Sequence, residues 1–282
     1  MRTTAGVVLA GGRSTRMGRP KADLEWHGST FLYRTSALLR RAIEGPVVVV
    51  AAPGQTLPVL PAGIAVAEDP VEGLGPMQGV AAGLAAVADR AEVAFVCSTD
   101  MPFLHSAFVQ RVLRAMAETN ADMVLPVARG FRQPLAAGYR TSLAGLITRL
   151  IDAGDLRPGM LREHCAVTQL DSAQLLDDGR LARFDPELES VVNVNTPEDY
   201  AAARDRTPPL ITIERFGTPA GTDGDRPREI RAATLGEAAV LAGLELDRDI
   251  VTAVNGDQVS RDPWLPLVAG DSVAFCPQTR AG

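Results

Sequence analysis

The segment from Leu9 to Lys21, with the sequence LAGGRSTRMGRPK, brings glycines and basic side chains close together. The adjacent glycines Gly11 and Gly12 let backbone N–H groups approach an anion closely, and Arg16 and Lys21 add positive charge. Such donors could neutralise the negative charge of a bound phosphate group. Because an apolar run precedes the segment and a helical pattern follows it, we predict a phosphate-binding loop at the carboxyl end of a first strand.

This loop does not follow either of the two common nucleotide-binding patterns. Counted from Gly12, Gly18 lies one residue too far along the chain for a Walker A loop. Arg19 and Pro20 stand where that loop has lysine followed by serine or threonine. The spacing does not fit G-x-G-x-x-G either. A plain glycine-rich turn between strand and helix is the structural alternative to a phosphate cradle.

Two aspartates follow predicted strands and offer oxygen atoms of the kind that Mg²⁺ prefers. Asp100 comes just after the apolar run VAFVC, and Asp69 follows the shorter run IAVA. Mg²⁺ in proteins is held by one or two carboxylates together with phosphates and waters. Asp100 is therefore our first candidate for a metal ligand, although an aspartate can also cap the turn before Pro102. Asp69 can likewise be a turn residue before Pro70.

Two asparagines one residue apart form the next candidate. The segment containing Asn193 and Asn195 reads NVNTPED, in which Thr196 predicts a helix N-cap, proline the first helical position and Asp199 the acid of a capping box. Capping accounts for the threonine, the proline and the aspartate but leaves both asparagines unexplained. Asn195 could be a second oxygen ligand or contact an acceptor substrate, and Asn193 is a further candidate.

Apolar runs alternate with helix-like segments through most of the chain. We expect strands at 6–9, 46–52, 64–67, 93–97, 122–126 and 191–195, and helices at 30–42, 80–88, 106–118, 142–152 and 158–165. This alternation is typical of the α/β class with a doubly wound, mostly parallel sheet. In such sheets ligands bind beyond the carboxyl ends of the strands, so the polar clusters described above should converge there.

Three motifs of this half resemble those of the molybdenum cofactor guanylyltransferases, a family of MobA-like NTP transferases with a Rossmann-like fold. They are the loop pattern L-A-G-G-x-S-x-R-M-G-x-x-K, the segment STDMPF, which is similar to the family's C-D-M-P-F metal site, and N-x-N-T-P-E-D. The segment RQPLAAGY, from Arg132 to Tyr139, resembles the stretch beside the family's acceptor site. The resemblance implies a nucleotidyltransferase that moves GMP from GTP to the phosphate of molybdopterin, with Mg²⁺ and with release of pyrophosphate.

The resemblance also implies roles for individual residues. Nucleotide contacts are implied for Leu9, Ala10, Gly11, Gly12, Lys21, Asp69, Asp100, Asn193 and Asn195. The implied catalytic residues are Arg16, Lys21 and Asp100, with Asp100 as the metal ligand. Asp69 would lie near guanine or ribose, and a carboxylate can accept hydrogen bonds from the N1–H and N2–H₂ edge of guanine, which cytosine lacks. No general base is required, since a phosphate monoester is already anionic near neutral pH.

The choice of nucleotide and acceptor leaves alternatives open. Relatives that use CTP typically read L-A-A-G in the loop, so Gly11 favours GTP. A CTP-dependent molybdopterin cytidylyltransferase is one alternative. A guanylyltransferase for another phosphorylated acceptor, such as phospholactate, is a second.

The pattern changes after the charged, proline-stiffened stretch RDRTPP at 204–209, which is typical of a linker. Beyond it the expected order is β, β, α, β, β, which fits a small β-grasp, ubiquitin-like α+β domain. We therefore predict a nucleotidyltransferase domain at 1–206 and a β-grasp domain at 207–282.

The second domain resembles the sulfur-carrier family (MoaD/ThiS-like), which includes the small subunit of molybdopterin synthase and the thiamine-pathway carrier. The matching residues are Val254–Gly256, Leu267–Phe275 and the terminal Gly282. Carriers of this family end in Gly-Gly and use the last carboxylate as an acyl-adenylate and then a thiocarboxylate, whereas Ala281 stands before Gly282 here. The resemblance implies an E1-like activating enzyme or the large subunit of molybdopterin synthase as partner. The alternatives are an inert or regulatory domain, and a carrier or scaffold protein whose first domain only recruits.

Composition narrows the class of protein. A chain of 282 residues that is 46% hydrophobic can form a full globular core, and a net charge of −6 argues against non-specific binding of nucleic acid. The three cysteines, Cys97, Cys165 and Cys276, lack metal-type spacing and suit a reduced cytosol. The first residues do not read as a signal peptide, and the apolar runs are too short for a membrane helix. We expect a cytoplasmic protein without nucleic-acid or membrane partners.

Overall fold

A computed structural model describes residues 3–11, 20–71, 73–155, 159, 161–216, 226–247, 249–256 and 258–277. The chain forms two compact units. The first joins the chain up to Leu24 with Thr30–Tyr200, and the second joins Glu25–Ser29 to the chain from Ala201 onward. Each unit has its own sheet and its own apolar core. Across the described residues, no helix is both long and apolar enough to cross a membrane.

The first unit is built on a sheet that has eight strands among the described residues. The strands are β1 (Thr4–Leu9), β4 (Val47–Ala51), β5 (Ala65–Glu68), β6 (Val93–Ser98), β7 (Met123–Ala128), β8 (Phe131–Arg132), β9 (Ala136–Arg140) and β10 (Val167–Leu170). A small separate hairpin, β2 (Glu25–Trp26) with β3 (Ser29–Thr30), lies between β1 and β4 in the sequence. The order in the large sheet is β10-β7-β9-β6-β1-β4-β5, with β8 paired to β7.

Most neighbours in this sheet are parallel, which confirms the predicted α/β class. β1 is parallel to β4 and β6, β4 to β5, and β7 to β10, whereas β9 is antiparallel to both of its neighbours. The interior strand β4 is buried along its whole length, as a parallel strand covered on both faces should be. Because β5, β4, β1 and β6 run in one direction, their carboxyl ends meet at one edge of the sheet.

Helices cover both faces of the sheet. The helices of this unit are α1 (Phe31–Ala42), α2 (Pro76–Val87), α3 (Ser106–Thr119), α4 (Leu143–Asp152), α5 (Leu161–His164), α6 (Ser172–Leu176) and α7 (Gly179–Phe184), and α8 (Pro197–Arg204) begins in this unit and ends in the second. On one face, Val7 and Leu9 of β1 share a core with α2 and α4. On the other, Gly6 of β1 lies against Leu39 of α1, and Phe95 of β6 packs edge-to-face on Phe108 of α3.

The predicted strand at 191–195 is wrong. A short 3₁₀ turn occupies Glu189–Val191, and the chain then runs without regular secondary structure as far as α8 and joins no strand. Its backbone donors are used elsewhere, since the Val194 N–H donates to the carbonyl of Asp100 at 2.9 Å. The segment is therefore held against the loop after β6 and not within the sheet.

The second unit contains a five-stranded sheet and one helix among its described residues. Its elements are β11 (Leu210–Arg215), β12 (Arg228–Arg231), α9 (Leu235–Leu241), β13 (Ile250–Val254), β14 (Gln258–Ser260) and β15 (Ser272–Pro277). The order is β12-β11-β15-β13-β14, with β11 and β15 parallel and the other pairs antiparallel. Ile213, Leu235 and Phe275 lie in the core between the sheet and α9. The hairpin side chain Trp26 donates its indole N–H to the carbonyl of Ala203 at 2.7 Å.

Helix α2 packs unusually close to the sheet because its inner positions are small. A Cβ atom added to Gly83 would lie 2.3 Å from Val7 Cγ1 and 3.0 Å from Val50 Cγ2. A Cβ atom on Gly79 would lie 3.3 Å from Leu9 Cδ2. The distance between α2 and β1 therefore depends on glycine at these two positions.

We predict that Gly83→Ala lowers the free energy of unfolding by about 1–3 kcal/mol, because the methyl group overpacks the α2–β1 contact. Alanine has the higher helix propensity, so propensity alone predicts the opposite sign. Urea unfolding measures the effect. The control is Gly145→Ala in α4, where the nearest atom to an added Cβ is 3.7 Å away. That variant should be neutral or more stable by up to about 1 kcal/mol. A Gly83→Ala protein at least as stable as the wild type would contradict the close packing.

Candidate active site

The chain after β1 is fixed to the end of β4. The Ala10 N–H donates to the carbonyl of Val50 at 2.8 Å, and the Ala10 carbonyl accepts from the Gln55 side-chain amide at 3.1 Å. The Gln55 side-chain oxygen accepts the Ala52 N–H at 2.9 Å. Leu9 and Ala10 are both buried, so of the predicted nucleotide-binding residues these two can contribute backbone groups only. The sequence did not predict Gln55, which has no motif around it.

Gly11 has a packing reason to be glycine. A Cβ atom at this position would lie 3.2 Å from the backbone nitrogen of Ala52, which is tighter than ordinary van der Waals contact. Glycine therefore lets the start of the loop lie directly on the segment after β4. Gly12 and Arg16, also predicted for this loop, lie outside the described residues.

Lys21, Asp100 and Asn195 meet at the carboxyl edge of the sheet, as the sequence predicts. Lys21 Nζ lies 2.8 Å from Asp100 Oδ2 and 2.6 Å from Asn195 Oδ1. The Lys21 and Asp100 side chains retain only 22% and 15% of their exposure. The Ser98 hydroxyl, at the end of β6, donates to Asp100 Oδ1. Asp100 and Asn195, which lie 79 and 174 positions from Lys21 in the sequence, thus both contact its ammonium group.

Backbone hydrogen bonds hold this cluster in place. Beyond the Val194–Asp100 contact, the Asp199 carboxylate accepts the N–H groups of Asn195 and Thr196, both at 2.9 Å. The Thr196 hydroxyl accepts the Asp199 N–H at 3.1 Å, which confirms the predicted capping box. These N–H groups, that of Asn195 first, hold the pKa of Asp199 below its usual value. The cap of α8 therefore also fixes the backbone of Asn195.

Asp69 lies at the end of β5, two strands from β1 in the same sheet edge. Its N–H donates to the carbonyl of Ala51 at 2.8 Å, and Oδ1 accepts the Val71 N–H at 3.2 Å, so the turn role considered from the sequence is present. The other oxygen, Oδ2, would be 3.8 Å from a Cβ atom on Gly79, at the start of α2. Partial burial raises the pKa of Asp69.

The side chains of Asn193 and Asn195 lie at different sites. Asn193 is exposed and lines a cleft of about 890 Å³, whereas Asn195 contacts Lys21. The cleft is also lined by Arg129, from the turn after β7, and by Phe131 and Arg132 of β8. The predicted acceptor segment RQPL begins at Arg132, so this segment and Asn193 lie at one cleft.

A buried polar cluster contacts the end of the loop after β6, at His105. The Ser190 hydroxyl donates to Asp185 Oδ2 at 2.6 Å and accepts the His105 N–H at 3.0 Å. Asp185 also accepts the N–H groups of Glu189 and Ser190. Burial raises the pKa of Asp185, against the lowering effect of these donors. On the other side, the buried Arg34 donates from Nε to the carbonyl of Pro102 at 2.8 Å. Sequence reasoning missed Ser190, Asp185 and Arg34.

The donor set suits a cation that arrives with a nucleotide. Among the described residues, no group of three or more histidine, cysteine, aspartate or glutamate side chains could hold a metal ion. Asp100 and Asn195 together present one carboxylate and one amide oxygen to a single position. Mg²⁺ commonly takes one or two protein carboxylates and completes its shell with phosphates and waters.

A mostly parallel sheet with a glycine-containing loop, a lysine and a carboxylate at its carboxyl edge defines a nucleotide-binding α/β enzyme of the nucleotidyltransferase class. Residues 6–168 match the family model described as "MobA-like NTP transferase domain". The chain belongs to this family.

Named relatives agree with the family. The "Probable molybdenum cofactor guanylyltransferase" of Mycobacterium tuberculosis H37Rv is 43% identical over 161 residues, which are 56% of this chain and 78% of that protein. A protein with the same name from Mycolicibacterium paratuberculosis is 39% identical over 202 residues, or 70% of this chain and 93% of that protein. The crystal structure of "Molybdopterin-guanine dinucleotide biosynthesis protein A" from Archaeoglobus fulgidus has a TM-score of 0.55 at 22% identity, covering 71% of this chain and 96% of that one. That last likeness shows the fold alone.

We predict that Ser190→Ala lowers the free energy of unfolding by about 1–3 kcal/mol, because it removes a hydroxyl that is bonded to both Asp185 and the His105 backbone. Urea unfolding at neutral pH measures this loss. The control is Ser142→Ala, since Ser142 is exposed and its side chain makes no cap hydrogen bond to α4. That change should stay within about 0.5 kcal/mol of the wild type. Equal losses in the two variants would mean that the Ser190 bridge contributes nothing specific.

Proposed function

We propose that this chain transfers GMP from GTP to the phosphate of a molybdopterin-type acceptor in a Mg²⁺-dependent reaction that releases pyrophosphate. The observation that carries the proposal is the convergence of Lys21, Asp100 and Asn195 at the carboxyl edge of the sheet. The names of the relatives support the guanylyl donor and the molybdenum cofactor acceptor.

Asp100 and Asn195 are the proposed oxygen ligands for Mg²⁺, which when bound neutralises phosphate charge. From Gly11 onward the loop is proposed to offer backbone N–H groups to the triphosphate, because the Ala10 N–H already donates to Val50, and Arg16 and Lys21 offer charge. An oxygen of the acceptor phosphate forms a bond to the α-phosphorus of GTP. The bond from that phosphorus to the β-phosphate bridging oxygen breaks, and pyrophosphate leaves with the electron pair. Positioning and charge neutralisation supply the catalysis.

Nucleotide and acceptor are proposed to bind at separate parts of the sheet edge. Asp69, beyond β5, is the proposed acceptor of the guanine N1–H and N2–H₂ donors. The cleft lined by Asn193, Arg129 and Arg132 is the proposed acceptor site, because its two guanidinium groups suit an anionic substrate. Gly11 favours GTP over CTP only through the family resemblance, since the contact with Ala52 already gives it a packing role. CTP therefore stays the alternative donor.

For residues 207–282 we propose a β-grasp domain of the sulfur-carrier type. The strand order is β12-β11-β15-β13-β14, and β11 is parallel to β15. One helix, α9, packs on this sheet. Both features support the proposal. The terminal Gly282 is the proposed site of activation, and it lies outside the described residues. An E1-like activating enzyme and the large subunit of molybdopterin synthase are the proposed partners.

We predict that Asp100→Asn abolishes Mg²⁺-dependent release of pyrophosphate from GTP while the protein stays folded. An amide is a weaker ligand for a hard cation than a carboxylate, and it removes the partner of Lys21. The assay uses the full chain with molybdopterin, and with GTP, CTP and ATP in parallel. Asp122→Asn is the control, because Asp122 pairs with Arg140 away from this cluster. Unchanged turnover in Asp100→Asn would exclude it as ligand, and turnover with CTP alone would replace GTP as donor.

We predict that incubating the full chain with ATP and an E1-like activating enzyme converts the Gly282 carboxylate into an acyl-adenylate, which intact-mass spectrometry detects as an added AMP. A chain truncated by its last residue is the control and should gain no mass. A wild-type terminus that stays unmodified would contradict the carrier role and would leave the nucleotidyltransferase proposal untouched.

A further inference from the structure

Lys21 places its ammonium group where the proposed cation would bind. Its Nζ atom lies 2.8 Å from Asp100 Oδ2 and 2.6 Å from Asn195 Oδ1, the two oxygens proposed above as ligands for Mg²⁺. The ion pair is largely shielded from water on both sides. One position between two oxygens thus already holds a positive charge in the protein without nucleotide.

The chain uses lysine nowhere else. Of its 28 basic side chains, 27 are arginines and Lys21 is the single lysine. An ammonium is a compact point charge on a flexible stem, whereas a guanidinium is a planar fork with fixed donor directions. Only the ammonium can lie between two oxygen atoms in the manner of a small metal ion and also turn toward a phosphate.

The surroundings confine any movement to the Lys21 side chain. Asp100 is fixed by the Ser98 hydroxyl and through its own carbonyl by the Val194 N–H, and the Asn195 backbone is fixed by Asp199. The backbone at Lys21 forms a 3₁₀ turn, in which its carbonyl accepts the Leu24 N–H at 3.2 Å. The Asp100 carboxylate and the Asn195 backbone are held by these contacts, and the four-carbon stem of Lys21 is the part that can swing.

We propose that Lys21 is an exchangeable occupant of the divalent-cation site. It neutralises Asp100 in the free protein, and it moves to the triphosphate when nucleotide and Mg²⁺ arrive together. This inference rests on the proposed function, because it takes Asp100 and Asn195 as the metal ligands.

Charge repulsion makes the exchange cooperative. A divalent ion that enters without nucleotide must break the Lys21–Asp100 pair and leaves an ammonium beside a second cation. A triphosphate gives the displaced ammonium a new anionic partner. Nucleotide therefore strengthens binding of the metal, and by linkage the metal strengthens binding of the nucleotide by the same factor.

The test measures binding of Mn²⁺ alone to the full chain, by titration calorimetry and by the loss of the free-ion electron paramagnetic resonance signal. Lys21→Met keeps the length of the side chain and removes its charge. We expect this variant to bind Mn²⁺ about tenfold more tightly than the wild type, the size of effect that removing one nearby charge can have. Adding Asp100→Asn to Lys21→Met should abolish the gain.

Arg140→Met is the matched control. The Arg140 side chain is 21% exposed and pairs with Asp122 in the same unit, and the Lys21 side chain is 22% exposed. Each variant therefore loses one positive charge that is largely shielded from water. The control should bind Mn²⁺ as the wild type does. Equal or weaker Mn²⁺ affinity in Lys21→Met, or an equal gain in Arg140→Met, would overturn the proposal.

A second measurement needs no variant. Selective ¹⁵N-lysine labelling of the wild type gives a single side-chain resonance, because the chain has one lysine. This resonance should shift little with Mg²⁺ alone and strongly with Mg²⁺ and GTP together, and an equal shift in both would overturn the exchange. Guanylyl transfer by the wild type is assayed separately. If the wild type transfers GMP but Lys21→Met gains no Mn²⁺ affinity, only the exchange proposal is contradicted. If Lys21→Met gains Mn²⁺ affinity but the wild type transfers no GMP, only the proposed function is contradicted.

Discussion

The contact between the Lys21 ammonium and the Asp100 carboxylate depends on the fold of the first unit, which brings the two groups together. Neither group is held by its own neighbourhood alone. Asp100 stands at the end of β6 and Lys21 follows the loop after β1, and these two parallel strands are adjacent in register along six residue pairs. The pairing also extends past the strands, since the Thr99 N–H donates to the Leu9 carbonyl at 3.3 Å. A parallel sheet is what brings two such strand ends to the same level.

Close packing above the sheet edge is the second constraint. Glycines at 79 and 83 let α2 lie against β1 and β4, and Gly11 lets the loop lie on the chain after β4. Each of these contacts removes space that a side chain would fill. The loop consequently starts from a backbone that is fixed by Val50 and Gln55.

The sequence predicts the parts of the site that local pattern determines. The strand before the loop, Asp100 after β6 and the Thr196 cap were all visible, because glycine, apolar runs and capping residues act over a few positions. The sequence missed Ser98, Gln55 and the Ser190–Asp185 bridge, since a single buried hydrogen bond leaves no periodic pattern. It also predicted a strand at 191–195, where alternating apolar residues pack on a loop and not in a sheet.

Val194 lies buried at 1% exposure between two asparagines that face different places, Asn193 the cleft and Asn195 the cation position. Two residues of chain span at most about 7 Å. The segment Asn193–Asn195, with Val194 buried in the core, therefore links the proposed acceptor cleft to the proposed metal position. An enzyme arranged in this way sets the distance between its two substrates by chain geometry.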